Sequence, residues 1–144
     1  VHVFNAKHVT GTSYIKTAGQ DGNCDAFVET DEANVKSVEF EVPGSMADKF
    51  VISITANATN VALDLEGSVA MVQDTEDGVS MYHHGDKMGI SIDEGVATFT
   101  KNGEIFYSMT LPEDVEAGFC KVDFCGKPAT EASVQFGLLD GEII

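Results

Sequence analysis

Three short apolar runs joined by turn signals, within residues 85–111, constrain the fold of this chain more than any other stretch. Each run alternates apolar residues with polar or small ones, which is the period of a β-strand because successive side chains point to opposite sheet faces. The first turn signal is Asp93-Glu94-Gly95. The second is Asn102-Gly103, whose residues tolerate the positive φ of a type I′ hairpin turn. The stretch therefore predicts a three-strand antiparallel meander.

The same alternation recurs elsewhere, separated by turn residues, and no segment predicts a convincing helix. The further runs are Val38/Phe40/Val42, Phe50/Ile52/Ile54, Val61/Leu63/Leu65, Val69/Met71, Cys120/Val122/Phe124 and Val134/Phe136/Leu138. About ten short strands of this kind are typical of two packed sheets. We therefore expect an all-β fold, an antiparallel β-sandwich of the jelly-roll kind, formed by a single domain over residues 1–144.

The charge of the chain restricts its partners. The 144 residues include 24 acidic residues and 8 lysines but no arginine, so the formal net charge is -16. Such a charge repels phosphate backbones and anionic lipids, which argues against nucleic-acid binding. The apolar runs are also far shorter than the roughly 20 residues that a membrane-spanning helix needs. We expect neither membrane insertion nor a nucleic-acid ligand. Basic partners, cations or a salty compartment suit the charge better, and the alternative is that the charge only provides solubility.

Three cysteines leave one unpaired if a disulfide forms. Cys120 is in phase with the apolar residues of its predicted strand, which favours a buried free thiol, and a short-range Cys120–Cys125 disulfide is the alternative. The sequence begins at Val1 rather than Met, from which we expect a processed product or an excerpt. The compartment stays open, with an extracellular or organelle-lumen location favoured over the cytoplasm. Asn57-Ala58-Thr59 is a glycosylation sequon that matters only on a secretory route, and from the sequence we interpret it as a chance match.

Four segments, residues 24–26, 38–42, 85–90 and 99–103, together resemble elements of the small concanavalin A-like lectin and glucanase sandwiches, including SPRY domains. Cys24-Asp25-Ala26 resembles their Trp-Asp-Ala element, and residues 38–42 resemble the V-x-F-x-V strand that follows it. Gly85-Asp86-Lys87-Met88-Gly89-Ile90 and Phe99-Thr100-Lys101-Asn102-Gly103 resemble a later strand and a Phe-x-x-Asn-Gly hairpin. Cys24 stands where the family has tryptophan, and the chain contains no Trp at all. The resemblance implies a recognition scaffold for glycans or protein surfaces.

Two acidic or imidazole clusters are candidate ligand sites. Asp21, Asn23 and Asp25 have the alternate spacing of the first oxygen ligands of a calcium loop, although Ala26 stands where such a loop requires Gly. A solvated turn with local hydrogen bonds is the alternative, and calcium is the only cofactor we consider. His83 and His84 beside Asp86 could provide two metal ligands or an acid/base pair. Adjacent residues of a strand face opposite ways, so a turn is the simpler interpretation.

A sugar-binding face would need aromatic side chains to stack on, and the candidates for exposed aromatics are Tyr14, Tyr82 and Tyr107. No catalytic motif is present, so we expect a non-enzymatic module. The leading hypothesis is a protein-binding or accessory module, including a small structural subunit of a larger assembly. Its contact turns would be 19–25, 74–86 and 93–95, with Asn102 in the adjacent hairpin turn. The alternative is a carbohydrate-binding, lectin-type module, with calcium assisting at Asp21–Asp25.

Overall fold

The computed structural model describes residues 1–42, 48–112 and 114–144, and these residues contain fourteen β-strands. The strands are β1 (His2–Phe4), β2 (Ala6–Thr10), β3 (Ser13–Lys16), β4 (Phe27–Glu29), β5 (Val35–Glu41), β6 (Phe50–Ala56), β7 (Thr59–Glu66), β8 (Val69–Val72), β9 (Val79–Met81), β10 (Lys87–Asp93), β11 (Val96–Lys101), β12 (Glu104–Thr110), β13 (Phe119–Phe124) and β14 (Glu131–Leu138). None of the described residues forms a helix long and apolar enough to span a membrane.

The strands form two antiparallel sheets of seven strands each, which pack face to face as a β-sandwich. The first sheet has the order β1-β4-β13-β6-β7-β8-β9, and the second has the order β12-β11-β10-β5-β14-β3-β2. The expected all-β sandwich is therefore confirmed, with fourteen strands instead of about ten. The strands that sequence alternation missed are β1 to β4 and β9. They are three to five residues long, too short for the alternation to show.

The core lies between the sheets and consists of the residues that alternate inward. Phe40 of the second sheet packs against Phe50 of the first, with ring centroids 4.7 Å apart, and Phe50 packs against Phe124 at 5.3 Å. All three rings are fully buried. Each such burial contributes roughly 1.5–3 kcal/mol, and the Phe40–Phe50 contact joins the two sheets.

The predicted meander is confirmed as β10-β11-β12. Both turns use the expected residues in left-handed backbone, with φ of 48° at Glu94 and 75° at Gly95, then 52° at Asn102 and 83° at Gly103. Two consecutive positive φ values are what a type I′ hairpin turn requires, because its twist matches that of the flanking strands.

The cysteines pair differently from the short-range alternative. Cys24 forms a disulfide with Cys125, which is 101 residues away in sequence. The alternative of a Cys120–Cys125 disulfide is therefore wrong, and the prediction of a buried free thiol at Cys120 is confirmed. Cys120 lies inside β13 and faces the core, whereas Cys125 follows the end of that strand and faces the loop that precedes β4. Burial raises the pKa of the Cys120 thiol, which keeps it protonated.

The antiparallel connections place the loops at two ends of the sandwich. One end, called the disulfide end, carries segments 17–26, 67–68, 82–86, 102–103 and 125–130. The opposite end carries segments 30–34, 57–58, 73–78, 94–95, 111–112 and 114–118. The turns proposed as contact regions therefore do not lie together. Segment 19–25 and residues 82–86 are at the disulfide end, whereas residues 74–78 and 93–95 are at the opposite end.

Candidate partner-binding surface

An exposed apolar surface lies on the outer face of the first sheet, at the edge formed by β8 and β9. Met71 of β8 and Val79 and Met81 of the edge strand β9 are 47%, 43% and 54% exposed. Met71 is directly opposite Val79 in the register, and Val69 is directly opposite Met81, so these side chains share one face. Large apolar side chains exposed together in this way mark contact sites more often than isolated ones do.

Two carboxylates border this patch on the neighbouring strand. In β7, Asp64 is directly opposite Met71 and Glu66 is directly opposite Val69. Directly paired residues of an antiparallel sheet project from the same face, so each row runs from a carboxylate to two apolar side chains. We call the set Asp64, Glu66, Met71, Val79 and Met81 the β8–β9 surface.

The loop before β9 continues the acidic border. It contains Asp74, Glu76 and Asp77, and it is held by contacts at both of its ends. The Gln73 side chain donates a 2.8 Å hydrogen bond to Asp64, and the Tyr107 hydroxyl lies 3.3 Å from the Thr75 hydroxyl. Tyr107 thus anchors this loop to β12, while its ring packs 6.0 Å from that of Phe99. It is only partly exposed and does not form a free stacking platform.

Tyr82, one of the three expected exposed aromatics, is buried. Its exposed fraction is 1%, so its assignment to a sugar-binding face is wrong. The residue follows β9 directly, and its backbone N–H donates to the Ser68 carbonyl at 2.9 Å. Because the residue after an outward-facing Met81 points inward, the ring packs into the core. Burial raises the pKa of its hydroxyl, and the ring ties the end of β9 to the sandwich.

The turn after Tyr82 joins the 102–103 hairpin turn in one hydrogen-bonded cluster. The Asp86 carboxylate accepts the His83 backbone N–H at 2.8 Å and the Asn102 side-chain amide at 3.0 Å. The Asn102 side-chain oxygen accepts the Lys87 backbone N–H at 2.9 Å. These donors favour the charged carboxylate, so the Asn102 amide first, and then the His83 N–H, lower the pKa of Asp86.

This cluster adjoins the β8–β9 surface. Lys101, next to Asn102, reaches from the second sheet to the first and donates from Nζ to the Met81 carbonyl at 3.1 Å. His83 is largely exposed, with its Nδ1 3.9 Å from an Asp86 carboxylate oxygen. His84 and Gly85 form the turn itself, as the simpler interpretation of the two histidines predicted. The cluster thus presents an imidazole beside the apolar edge.

The Asp21-Asn23-Asp25 loop is organised around a lysine of the chain. Lys16 is buried, and its ammonium lies 2.7 Å from an Asp25 carboxylate oxygen. The same Nζ donates to the backbone carbonyls of Gln20 at 2.9 Å and Asn23 at 3.1 Å. The hydrogen bond from Lys16 is the largest cause of the lowered pKa of Asp25. The lysine therefore provides in this loop the positive charge that the calcium hypothesis assigned to a metal.

The loop conformation also depends on a close backbone approach. Gly19 has φ of 104°, and a Cβ atom at this position would collide with the Asp25 carboxylate. Asp21 is exposed, and the Asn23 side-chain amide donates to the Gln20 side chain at 3.2 Å. Across residues 1–42, 48–112 and 114–144, no group of three or more His, Cys, Asp or Glu side chains is arranged to hold a metal ion.

Tyr14 lies apart from all these residues. It belongs to β3, near the edge of the second sheet that is far from β12, and its ring lies 5.3 Å from that of His8. Partial burial raises the pKa of its hydroxyl. The structure therefore brings His83, Asp86, Asn102 and Tyr107 around β9, and it leaves Tyr14 and the 21–25 loop elsewhere.

The outer face of the second sheet carries a shallow groove of about 240 Å³. Its lining includes the small or polar side chains of Ser37, Ser91, Thr100 and Gln135, with Ile143 at one side. None of the three tyrosines lines it. A larger cavity of about 470 Å³ lies at the opposite end, where Asp93, Glu94 and Gly95 form part of its wall.

Sequence alternation does not identify the apolar residues of the β8–β9 surface, because β9 is only three residues long and the alternation gives the wrong phase for β8. Val69 and Met71 were expected to face the core, but Ala70 and Val72 are the buried residues. A usable signal was nevertheless present, since Val69-Ala70-Met71-Val72 is apolar at every position. A strand that is apolar on both faces has an outer face that water does not favour.

The fold has counterparts among solved structures, although no protein-family model and no curated protein sequence matches the chain. The SPRY domain of human HERC1 is 13% identical with a TM-score of 0.60, covering 92% of each chain. A human SPRY domain is 17% identical with a TM-score of 0.57, covering 95% of this chain and 98% of that one.

A third similar structure, the Apo Crh5 transglycosylase, is 9% identical with a TM-score of 0.50 and covers 91% of this chain and 79% of that one. Identities this low are evidence of a shared fold and not of a shared activity. The chain thus has a SPRY-like β-sandwich of the concanavalin A-like type.

Proposed function

We propose that this chain is a non-enzymatic protein-binding module whose β8–β9 surface contacts a basic protein partner. The observation that carries the proposal is the pair of rows in which exposed apolar side chains lie beside Asp64 and Glu66. Protein interfaces commonly combine an apolar centre with a polar rim, and complementary charge at the rim speeds association. A SPRY-like sandwich fits a binding role of this kind.

The partner chemistry follows from the border of the surface. Asp64 and Glu66 border the exposed apolar side chains on the β7 side, and the acidic 73–78 loop connects β8 to β9 at one end of the surface. Methionine side chains are flexible and adapt to the shape of an apolar partner. A partner segment with apolar side chains flanked by lysine or arginine would match both features. If the complex is permanent, the same surface makes the chain an accessory subunit of a larger assembly.

The hydrogen-bonded cluster at Asp86 supports the proposal by ordering the end of the surface. Its bonds join the 83–86 turn to the 102–103 turn, and Lys101 joins β11 to β9. A surface that is already ordered loses less conformational entropy when a partner binds. We therefore place His83 and its neighbours at the rim of the contact and assign no catalytic residue.

A pull-down from the native source tests this function, with the immobilised wild-type chain compared with two double variants. Val79→Thr/Met81→Gln makes the apolar centre polar while preserving side-chain size. Val9→Thr/Leu139→Gln makes a matched change at exposed apolar residues elsewhere on the molecule. We expect the first variant to weaken capture of the wild-type partner about tenfold, roughly 1.4 kcal/mol, and the control to leave it unchanged. Equal capture by both variants would contradict the proposal.

A carbohydrate-binding role is the second candidate, favoured by the groove on the second sheet with its hydroxyl and amide side chains. A glycan array probed with and without Ca²⁺ separates the two functions. Specific glycan binding that Gln135→Ala abolishes, and that Val79→Thr/Met81→Gln leaves intact, would favour the groove. Loss of that binding when Ca²⁺ is chelated would support a role for calcium at the Asp21–Asp25 loop. A blank array together with partner capture would favour the β8–β9 surface.

A further inference from the structure

The glycosylation sequon Asn57-Ala58-Thr59 lies at the tip of the β6–β7 hairpin. Ala56 pairs with Thr59, so Asn57 and Ala58 alone form the turn. Asn57 has φ of 54° and is exposed, as is Ala58. Asparagine tolerates this left-handed backbone better than most residues, which gives the residue a structural reason to occupy the tip.

The side chain of Asn57 is available for modification. No described residue forms a hydrogen bond with its amide group, while the neighbouring Thr55 hydroxyl bonds to Asn60 instead, at 2.7 Å. A substituent on Nδ2 would therefore extend into solvent without breaking a contact of the folded chain. The tip is at the opposite end from the disulfide and from the cluster at Asp86, and it lies at the same end as the 73–78 loop.

The disulfide is a second and independent observation. Cys24–Cys125 joins two loops that are distant in sequence but meet at one end of the sandwich. Disulfides of this structural type persist in oxidising compartments and are rare in the cytosol. N-linked glycans are attached on the same route into those compartments. A surface sequon and a structural disulfide in one chain are therefore consistent with each other, and together they change the interpretation of the motif as a chance match.

We propose that Asn57 is a site of N-linked glycosylation. The co-reactant is a lipid-linked oligosaccharide with a pyrophosphate at its reducing end. Asn57 Nδ2 forms a bond to the anomeric carbon, the bond from that carbon to the pyrophosphate oxygen breaks, and Nδ2 loses one proton. No electrons are exchanged with an oxidant, and the lipid pyrophosphate departs as the leaving group. The Thr59 hydroxyl completes the recognition motif.

The direct test is mass spectrometry of the chain purified from its native source. Trypsin cleaves after Lys49 and Lys87, with no other lysine or arginine between them, so residues 50–87 form one peptide that contains the sequon. We expect peptide-N-glycosidase in ¹⁸O-labelled water to convert Asn57 to labelled Asp. An abundant 50–87 peptide with unmodified Asn57 in the native chain would overturn the proposal.

A second measurement tests the acceptor itself. The chain is translated behind a secretory leader with rough microsomes, and the protease-protected product is analysed on gels. We expect one glycosidase-sensitive shift in the wild-type chain and in Thr59→Ser, which keeps the sequon. The shift should be lost in Asn57→Gln and in Thr59→Ala. A protected wild-type product without any shift would count against the proposal, as would a shift that survives Asn57→Gln.

Discussion

At the residue scale, the clearest charge effect lies at Asp86. Hydrogen bonds from Asn102 and from the His83 backbone hold its pKa below the ordinary value of about 3.9. A carboxyl whose pKa is lowered in the folded state adds stability above the unfolded pKa. That stability disappears as the pH falls through the folded pKa.

The corresponding prediction concerns Asp86→Asn, which has no charge to lose. We expect the wild-type chain to melt at a higher temperature than this variant at pH 7, and the gap to shrink below about pH 4. Thermal melts from pH 7 to pH 2.5 measure the gap. Asp77→Asn, at an exposed aspartate of the 73–78 loop, is the control and should show a much smaller gap. A gap for Asp86→Asn that stays constant with pH would refute the electrostatic interpretation.

Residue-level reasoning could not establish the burial of Tyr82 or the partner of Lys16. Tyr82 lies next to His83-His84, a polar neighbourhood that favours exposure, but its inward phase follows from β9, a strand of only three residues. Lys16 meets Asp25 across a loop whose path depends on Gly19 and on the disulfide. Both placements depend on where the chain returns after a turn, which the local residue types do not specify.

At the element scale, the Cys24–Cys125 disulfide connects the segment before β4 to the segment after β13. These strands are neighbours in the first sheet, so the bond reinforces a pairing that is very distant in sequence. A cross-link over so long a loop restricts the unfolded chain strongly. It therefore contributes to stability even though it adds little to the core.

We predict that Cys24→Ser/Cys125→Ser lowers the free energy of unfolding by about 4 kcal/mol, within the usual range for a long loop. Urea denaturation followed by circular dichroism measures the difference. A reducing agent should destabilise the wild-type chain by a similar amount and leave the double variant unchanged. If the reducing agent affects both chains equally, the effect does not come from this bond.

The elements with long alternating runs were the ones that sequence reasoning identified. The meander β10-β11-β12 and the strands β5, β6, β7, β13 and β14 all match, because a half-buried strand of six or more residues shows its period clearly. Shorter strands do not show this period clearly. In β8, all four residues are apolar, so the alternation disappears and the phase depends on which sheet the strand joins.

At the scale of the whole molecule, charge is unevenly distributed. The loops at the opposite end contain acidic residues with few lysines, namely Asp31, Glu32, Asp74, Glu76, Asp77, Asp93, Glu94, Asp114 and Glu116. With a net charge of -16, repulsion among these groups opposes the compact state. Salt reduces that repulsion because it screens charges separated by more than about 10 Å at 0.1 M.

We expect the melting temperature to rise by several degrees between low salt and 0.5 M NaCl. CaCl₂ at matched ionic strength should produce the same rise, because Lys16 already neutralises Asp25 within the 21–25 loop. Differential scanning fluorimetry with NaCl, CaCl₂ and MgCl₂ measures the effect. A rise specific to calcium, lost in Asp21→Asn, would contradict this account and support a calcium site.

The all-β class, the central meander, the sandwich resemblance and the burial of Cys120 could all be predicted from the sequence. These features depend on local alternation and turn chemistry, which adjacent residues encode directly. Three other features follow from the three-dimensional arrangement alone. These are the pairing of the cysteines, the buried position of Tyr82, and the exposed surface that Met71, Val79 and Met81 form beside Asp64 and Glu66. Each of these depends on contacts between strands that are distant in sequence or too short to show a period, and strand order and register are set by the packing of the whole sandwich.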